Sequence, residues 1–221
     1  MIINIEPTSR EEARSRLEKA LQTFSGNGAV SEGIFKHYDG YLAESKAIGE
    51  RDTSKDPWNP EYNHRAKEGD PFAINGTYYE LVFEAALHTL GQKVDPVQDK
   101  IMQMYGQDFI NRSSREQYSV KGRRHQLDDN GEFIFELTKA DFAPGLYRVT
   151  HLVFVDPQSE WITFLGYRKL FPYCCVANEK HICVDIKRDK LSVHDFEAAA
   201  GSDAVRSLDI SYLWSRDPLV E

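Results

Sequence analysis

The hydrophobic pattern of this chain changes its period near residue 112. Before that point, apolar residues recur every three or four positions; after it, they alternate with polar residues. A period of about 3.6 is typical of an amphipathic helix, and a period of about 2 is typical of a half-buried strand. The pattern therefore predicts an α+β fold, with a mainly helical half over residues 1–112 packed on an antiparallel, sandwich-like β half over residues 113–221. One continuous domain is the alternative to two separate halves.

Capping signals indicate where the helices of the first half begin and end. The segment Ser9-Arg10-Glu11-Glu12 is a capping box and predicts a helix over about residues 10–25. For residues 31–48 a helix is favoured, although Asp39-Gly40 between aromatic residues is also a hairpin signal. A second capping box, Thr77-Tyr78-Tyr79-Glu80, predicts a helix that Gly91 closes. A further helix is expected from Asp95-Pro96 to Gly106.

Residues 50–75 are dense in charged residues, proline and asparagine, and they show no apolar period. The sequence predicts a long loop there, and loops of this length are often functional. Trp58, Tyr62 and His64 stand within it. Because aromatic side chains bury a large area at small entropic cost, we interpret these residues as candidate anchors for a binding partner. Packing of the same residues back onto the core is an equal alternative.

The second half reads as short strands separated by turns. The alternation predicts strands that are listed here in chain order: 133–137, 146–155, 161–167, 181–186 and 210–214. A short helix over residues 193–200 is expected between the last two. The segment Phe142-Ala143-Pro144-Gly145-Leu146-Tyr147-Arg148-Val149-Thr150 resembles part of bacterial immunoglobulin-like domains. This resemblance covers about fifteen residues with Asp156 included; it implies a strand hairpin and no function.

The net charge and the cysteine content indicate which binding partners and which cellular compartment to expect. The chain has 27 basic and 35 acidic residues, so its net charge is 27 − 35 = −8. That charge argues against broad binding to nucleic acid or anionic membranes. No apolar run approaches the roughly 18 residues of a membrane helix, and the N-terminus lacks the pattern of a signal peptide. The three cysteines are too few and too unevenly placed for a disulfide framework, so we expect reduced thiols and a cytoplasmic protein.

Candidate catalytic residues lie in the β half. His181, Cys183 and Asp185 alternate along one predicted strand and therefore share a face. A histidine beside a thiol can lower the pKa of that thiol, so Cys175 or Cys183 with His151 or His181 would suit a cysteine/histidine-dependent hydrolase or transferase. The ordinary alternative is the polar face of a half-buried strand, and catalytic triads usually converge from different elements.

The basic segment around Arg123 and Arg124 is a second candidate binding surface, since arginine pairs well with carboxylates. The sequence matches no zinc, phosphate-loop, dinucleotide or nucleophile-elbow motif, so neither a metal nor a cofactor is predicted. The favoured interpretation is a non-catalytic protein-interaction module, in the manner of an acidic antagonist or immunity-type protein that binds a partner protein. The enzyme described above is the alternative.

Overall fold

The structure of the protein is a computed structural model. The structure describes these residues: 7, 9–21, 32–39, 71–99, 106–122, 126–127, 133–136, 149–170, 174–178, 181–184, 190–192 and 201–214. The chain divides into two compact units. One unit comprises Met1–Gln92 with Ile210–Glu221, and the other comprises Lys93–Asp209.

Helix α1, Arg10–Leu21, forms where the first capping box predicts it. The amide of Glu12 donates to Ser9 Oγ at 3.1 Å, which satisfies one of the amides that a helix start leaves without an internal partner. Ala13, Leu17 and Ala20 are buried, and they form the stripe expected of a helix with one apolar face. The predicted start of this helix is confirmed, and its described part ends at Leu21.

Residues 32–39 are also helical and are called α2. Helix α3 runs from Pro71 to Thr89, which makes the predicted loop wrong over residues 71–75; residues 50–70 lie outside the described part of the chain. The start of α3 is explained by Pro71, because proline suits the first helical position, where no amide is needed. Thr77 is consequently an interior residue of α3 and does not cap it.

The middle of α3 is buried on all sides over residues 81–87 and is mostly apolar there, with Glu84 as a buried acidic residue. The buried apolar residues in this stretch are Tyr78, Leu81, Val82, Phe83, Ala85, Ala86 and Leu87. At the C-terminal end the amide of Gln92 donates to the carbonyl of Leu87 at 2.9 Å, and that of Gly91 donates to His88 at 3.0 Å. Gly91 has φ of 74°, so the helix ends in a Schellman motif at the predicted glycine.

Side-chain contacts join α1 to α2, and the C-terminal segment to α3. Arg14 of α1 pairs with Asp39 of α2 through Nη1, which lies 2.8 and 2.6 Å from the two carboxylate oxygens. The guanidinium of Arg14 also lies 4.8 Å from the centre of the Phe35 ring. From the C-terminal part of this unit, the hydroxyl of Tyr212 donates to the carbonyl of Ala86 in α3 at 2.9 Å.

The second unit contains a six-stranded sheet in the spatial order β1-β2-β3-β6-β7-β11. Its strands are β1 (Val94–Pro96), β2 (Phe109–Asn111), β3 (Gln117–Gly122), β6 (His151–Asp156), β7 (Trp161–Gly166) and β11 (Val205–Asp209). The neighbours pair antiparallel except β3 and β6, which are parallel. The α+β class is therefore confirmed, but the sheet is mixed and open, and the prediction of purely antiparallel pairing was wrong.

The parallel pair follows from the length of chain between its strands. Parallel neighbours need a crossover of about a dozen residues or more, and residues 123–150 separate β3 from β6. Short turns join two of the antiparallel pairs, β2 with β3 and β6 with β7. Asp156 closes the β6–β7 turn by accepting from the amide of Gln158 at 3.0 Å and from the hydroxyl of Ser159 at 2.5 Å.

Three predicted elements of the sheet region are corrected. Residues 94–96 form strand β1 where a helix was predicted to begin; Pro96 is tolerated because β1 lies at the sheet edge. Strand β6 begins at His151 and not at residue 146, and residues 146–148 lie outside the described chain. Among the described residues the last strand is β11, whereas Ser211–Leu213, predicted as strand, form a 3-10 turn whose Tyr212 and Leu213 are buried.

Two smaller sheets complete the described strands. One has the order β10-β5-β4, with β10 (Lys190–Ser192), β5 (Phe133–Glu136) and β4 (Gln126–Leu127). The other is a ribbon of β8 (Cys174–Asn178) and β9 (His181–Val184). Strands predicted near residues 133 and 181 are thereby confirmed. The helix predicted over residues 193–200 lies outside the described residues. In the described part of the chain, no helix is long and apolar enough to cross a membrane.

Candidate functional site

A row of side chains crosses four adjacent strands on one face of the six-stranded sheet. Tyr118 of β3 is paired with His151 of β6 in the parallel ladder. Val153, two residues after His151 and so on the same face, is paired with Phe164 of β7, which is paired in turn with Arg206 of β11. The sheet register thus places a phenol, an imidazole, a phenyl ring and a guanidinium side by side.

Glu116, directly before β3, joins this row. Its Oε2 accepts hydrogen bonds from the Tyr118 hydroxyl at 2.8 Å and from Ser114 Oγ at 2.9 Å. Its Oε1 lies 3.5 Å from Nη2 of Arg206. Burial on its own would raise the pKa of Glu116, but these hydrogen bonds and the charge of Arg206 hold the pKa below its ordinary value. Glu116 is therefore a carboxylate at neutral pH.

His151 is largely buried, with 16% of its side chain exposed. Burial and the positive charge of Arg206 lower the pKa of His151, and the nearby Glu116 only partly opposes them. The ring is consequently neutral at pH 7. Its Nδ1 lies 3.2 Å from Thr150 Oγ1 and 3.8 Å from Glu116 Oε1.

The hydroxyl of Thr150 connects this histidine to β3. Thr150 Oγ1 donates to the carbonyl of Gln117 at 2.7 Å and accepts from the amide of Gln117 at 2.8 Å. Thr150 Oγ1 therefore connects the ring of His151 with the backbone of Gln117 at the start of β3.

The aromatic side chains of the row contact its charged groups. Burial raises the pKa of Tyr118 to about 12, with help from Glu116, so the phenol stays protonated and donates to that carboxylate. The rings of Tyr118 and His151 each approach the ring of Phe164, with centres 6.0 and 6.3 Å apart. The guanidinium of Arg206 lies 5.0 Å from the centre of the same ring, and 51% of the Arg206 side chain is exposed.

A second carboxyl group with a shifted pKa, that of Asp108, lies beside β3 and forms hydrogen bonds with it. Asp108 Oδ2 accepts from the amide of Val120 at 2.6 Å, and the amide of Asp108 donates to the carbonyl of Tyr118 at 2.9 Å. Burial raises the pKa of Asp108 although Lys121 opposes this. Because both its backbone and its side chain bond to β3, we interpret Asp108 as a structural residue.

The candidate residues from the sequence fall in three places. His151 is in the row just described. Cys175, His181 and Cys183 are in the β8–β9 ribbon, where the antiparallel register places Cys175 directly opposite Cys183. The remaining candidates lie outside the described residues: Trp58, Tyr62, His64, Arg123, Arg124 and Asp185.

Sequence reasoning missed Glu116, Tyr118 and Arg206. The available signal was alternation within residues 117–122, where Tyr118 and Val120 are buried on one face of β3. Nothing local connects Tyr118 with Arg206, because the register of three further ladders brings them into one row. Among the side chains that the structure describes, no group of three or more histidine, cysteine, aspartate or glutamate residues is arranged to hold a metal ion.

Comparison with known proteins identifies no relative. No protein-family model matches the chain, and neither the curated proteins nor the solved structures contain a significant match. Function must therefore be argued from the residues themselves.

The state of His151 predicts how stability depends on pH. A histidine whose pKa is lowered in the folded state binds fewer protons there than in the unfolded chain, so stability falls as the pH drops below its ordinary value of 6.5 toward the lowered one. We expect the free energy of unfolding, measured with urea between pH 7.5 and 5, to decrease more steeply in the wild type than in His151→Gln. Equal slopes in the two proteins would contradict a neutral His151.

Proposed function

We propose that this protein is a non-catalytic protein-interaction module that binds one partner protein, as an acidic cytoplasmic antagonist or immunity-type protein would. The observation that carries the proposal is Arg206, whose guanidinium is half exposed and held between the Phe164 ring and Glu116. Arginine is enriched among the few residues that dominate binding energy, and contact with an aromatic ring reduces the freedom it loses on binding.

The patch around Arg206 contains one positively charged group and one negatively charged group. Arg206 can pair with a carboxylate of the partner, and the ionised Glu116 beside it, 28% exposed, can pair with a basic group. The net charge of −8 supports long-range attraction of a basic partner. We name the surface formed by Glu116, His151, Phe164 and Arg206 the Arg206 patch. The loop residues Trp58, Tyr62 and His64 and the basic residues Arg123 and Arg124 remain part of the proposal as further contacts.

The helical N-terminal half and the sandwich-like β half that the sequence predicts are part of the same proposal. A helical N-terminal half packed on a sandwich-like β half would present loops and sheet faces to a partner, and such architectures are common in binding proteins.

Replacing Arg206 tests the proposal. A partner is first captured from native lysate at low and high salt and identified by mass spectrometry. We then expect Arg206→Ala to raise its Kd about 30-fold, which corresponds to about 2 kcal/mol, the usual threshold for a binding hot spot. Because Arg206 is half exposed, the melting temperature should stay within a few degrees of the wild type.

Arg112→Ala is the matched control. Arg112 is an arginine of similar exposure, 58%, in the turn after β2, and it pairs with Asp95. An exposed ion pair contributes little to stability, so the variant should keep its fold. Because Arg112 is not part of the Arg206 patch, Kd should change less than threefold in this variant. A similar loss of affinity in both variants would show general electrostatic attraction and no Arg206 patch.

The alternative is a cysteine/histidine-dependent hydrolase or transferase. One observation favours it, namely that the ribbon register sets Cys175 opposite Cys183 with His181 two residues before Cys183. Quantitative thiol titration separates the two functions. A fast-reacting, low-pKa cysteine in the native chain would support the enzyme, whereas three slow thiols would leave the binding module.

A further inference from the structure

The six-stranded sheet has two edge strands, and they differ in how well they can pair with another chain. β1 has three residues and ends in Pro96, which has no amide to donate. β11 has five residues, contains no proline and pairs with β7 in an unbroken antiparallel register from Val205 to Asp209. Among the described residues, no strand lies beyond β11. β11 is therefore the edge of this sheet that is better suited to receive a further strand.

The hydrogen bonds of the neighbouring ladder show which backbone groups of β11 point outward. The amide of Tyr167, directly after β7, donates to the carbonyl of Thr150 at 2.9 Å, so it is directed toward β6. In an antiparallel ladder, the backbone groups of alternate residues face the two neighbouring strands in turn. Those of Phe164 therefore face β11, and those of Arg206, which is opposite Phe164, face β7. It follows that the amide and the carbonyl of Ser207 point away from the sheet.

The side chains of β11 leave this edge accessible. Ser207 is exposed. A charged side chain on an edge strand usually discourages pairing with another strand. Arg206 does not extend over the edge, because its guanidinium lies 5.0 Å from the centre of the Phe164 ring on β7 and 3.5 Å from Glu116, directly before β3. The Arg206 side chain therefore lies over the sheet, and 51% of it remains exposed to a partner.

We propose that β11 binds an extended segment of the partner protein as a seventh, antiparallel strand of this sheet. This binding mode rests on the proposed function and adds to it how the partner is held. The residue opposite Ser207 exchanges both backbone hydrogen bonds with it. The residue opposite Arg206 belongs to a pair without such bonds, in which side chains are closest, and charge complementarity selects an acidic residue there. Leu208, partly buried on the same face as Arg206, selects an apolar residue opposite it.

A phage-displayed library of random peptides, each of about nine residues and so long enough for one strand, provides the probe. The library is selected on the full wild-type chain, and the Kd of enriched peptides is measured by fluorescence anisotropy. We expect enriched peptides to alternate between polar and apolar positions, with an acidic residue two positions from an apolar one. Arg206→Ala should remove the preference for the acidic residue, because the charge that selects it is gone.

Two substitutions of Ser207 separate its backbone from its side chain. Ser207→Pro removes the outward amide and places a ring on the edge, while the ladder with β7 keeps its hydrogen bonds. It should raise the Kd of the selected peptides at least about tenfold. Ser207→Ala is the matched control, because it removes the hydroxyl and keeps the amide; Kd should change less than about threefold. Circular dichroism and the melting temperature verify the fold of both variants.

Hydrogen exchange of the wild type, measured by NMR, tests the same edge without a substitution. Peptide binding should slow exchange of the Ser207 amide at least about tenfold, whereas the Arg206 amide, which already faces β7, should change little. Strand addition is overturned if the Ser207 amide is not protected, if no peptide is enriched, or if the selected peptides bind Ser207→Pro as tightly as the wild type.

Two further results distinguish the occupant and the function. A wild-type dimer that becomes a monomer in Ser207→Pro, seen by light scattering, would place a second copy of the chain on the edge and overturn binding of a partner segment. A captured partner whose Kd rises in Arg206→Ala and is unchanged in Ser207→Pro would keep the proposed function and overturn strand addition. An unchanged Kd of that partner in Arg206→Ala contradicts the proposed function itself.

Discussion

Replacing Phe154 by alanine should lower the free energy of unfolding by about 3–5 kcal/mol, the usual cost of removing a buried aromatic ring. Phe154 is fully buried in β6, where its register partners are Lys121 of β3 and Thr163 of β7. With strands on both sides, the surrounding backbone can relax little, so most of the ring volume would remain as a cavity. Urea denaturation followed by circular dichroism measures the loss.

Phe154→Leu is the control for this prediction. Leucine keeps much of the apolar volume, so the variant should lose clearly less stability than the alanine variant. Phe154 and His151 are three residues apart on β6 and therefore on opposite faces of the sheet. The tautomer of His151, read from its ring nitrogen shifts by NMR, should be the same in Phe154→Leu and wild type. Equal stability of Phe154→Ala and wild type would contradict the central position of β6.

The sequence correctly predicted the elements that depend on interactions between residues close together in the chain. The start of α1 follows from Ser9 and Glu12, and the end of α3 follows from Gly91 in a left-handed conformation. The β6–β7 hairpin follows from alternation interrupted by Asp156-Pro157, where the aspartate side chain closes the turn. In each case the deciding interaction joins residues within five positions of one another.

The errors arose where distant residues decide the structure. Val94–Pro96 became a strand because Asn111 and Phe109 pair with it, which outweighs the helix-start signal of Asp95-Pro96. The candidate site depends on the same kind of information. Glu116 and Arg206 meet only because β3, β6, β7 and β11 are neighbours in that order, and one of those ladders is parallel. No pattern within a short window specifies such an order.

Leu17→Ala should cost the helical unit about 2–5 kcal/mol, since Leu17 is fully buried in α1. The matched control is Leu90→Ala, in which the same side chain is removed from a position that is 40% exposed. Substitutions at exposed positions usually change stability by less than about 0.5 kcal/mol. Similar effects of the two variants would contradict the burial of the α1 stripe.

Leu17→Ala and Phe154→Ala together show whether the two compact units unfold in one transition or in two. If residues 1–92 with 210–221 unfold independently of residues 93–209, Leu17→Ala shifts one of two transitions, and Phe154→Ala shifts the other. If the chain unfolds as one cooperative domain, each substitution shifts a single transition seen by every probe. We expect two transitions, because the chain divides into two compact units, and a compact unit with its own core can unfold by itself. Urea unfolding followed by Trp161 fluorescence for the sheet, in variants lacking the other tryptophans, and by helical circular dichroism decides between them.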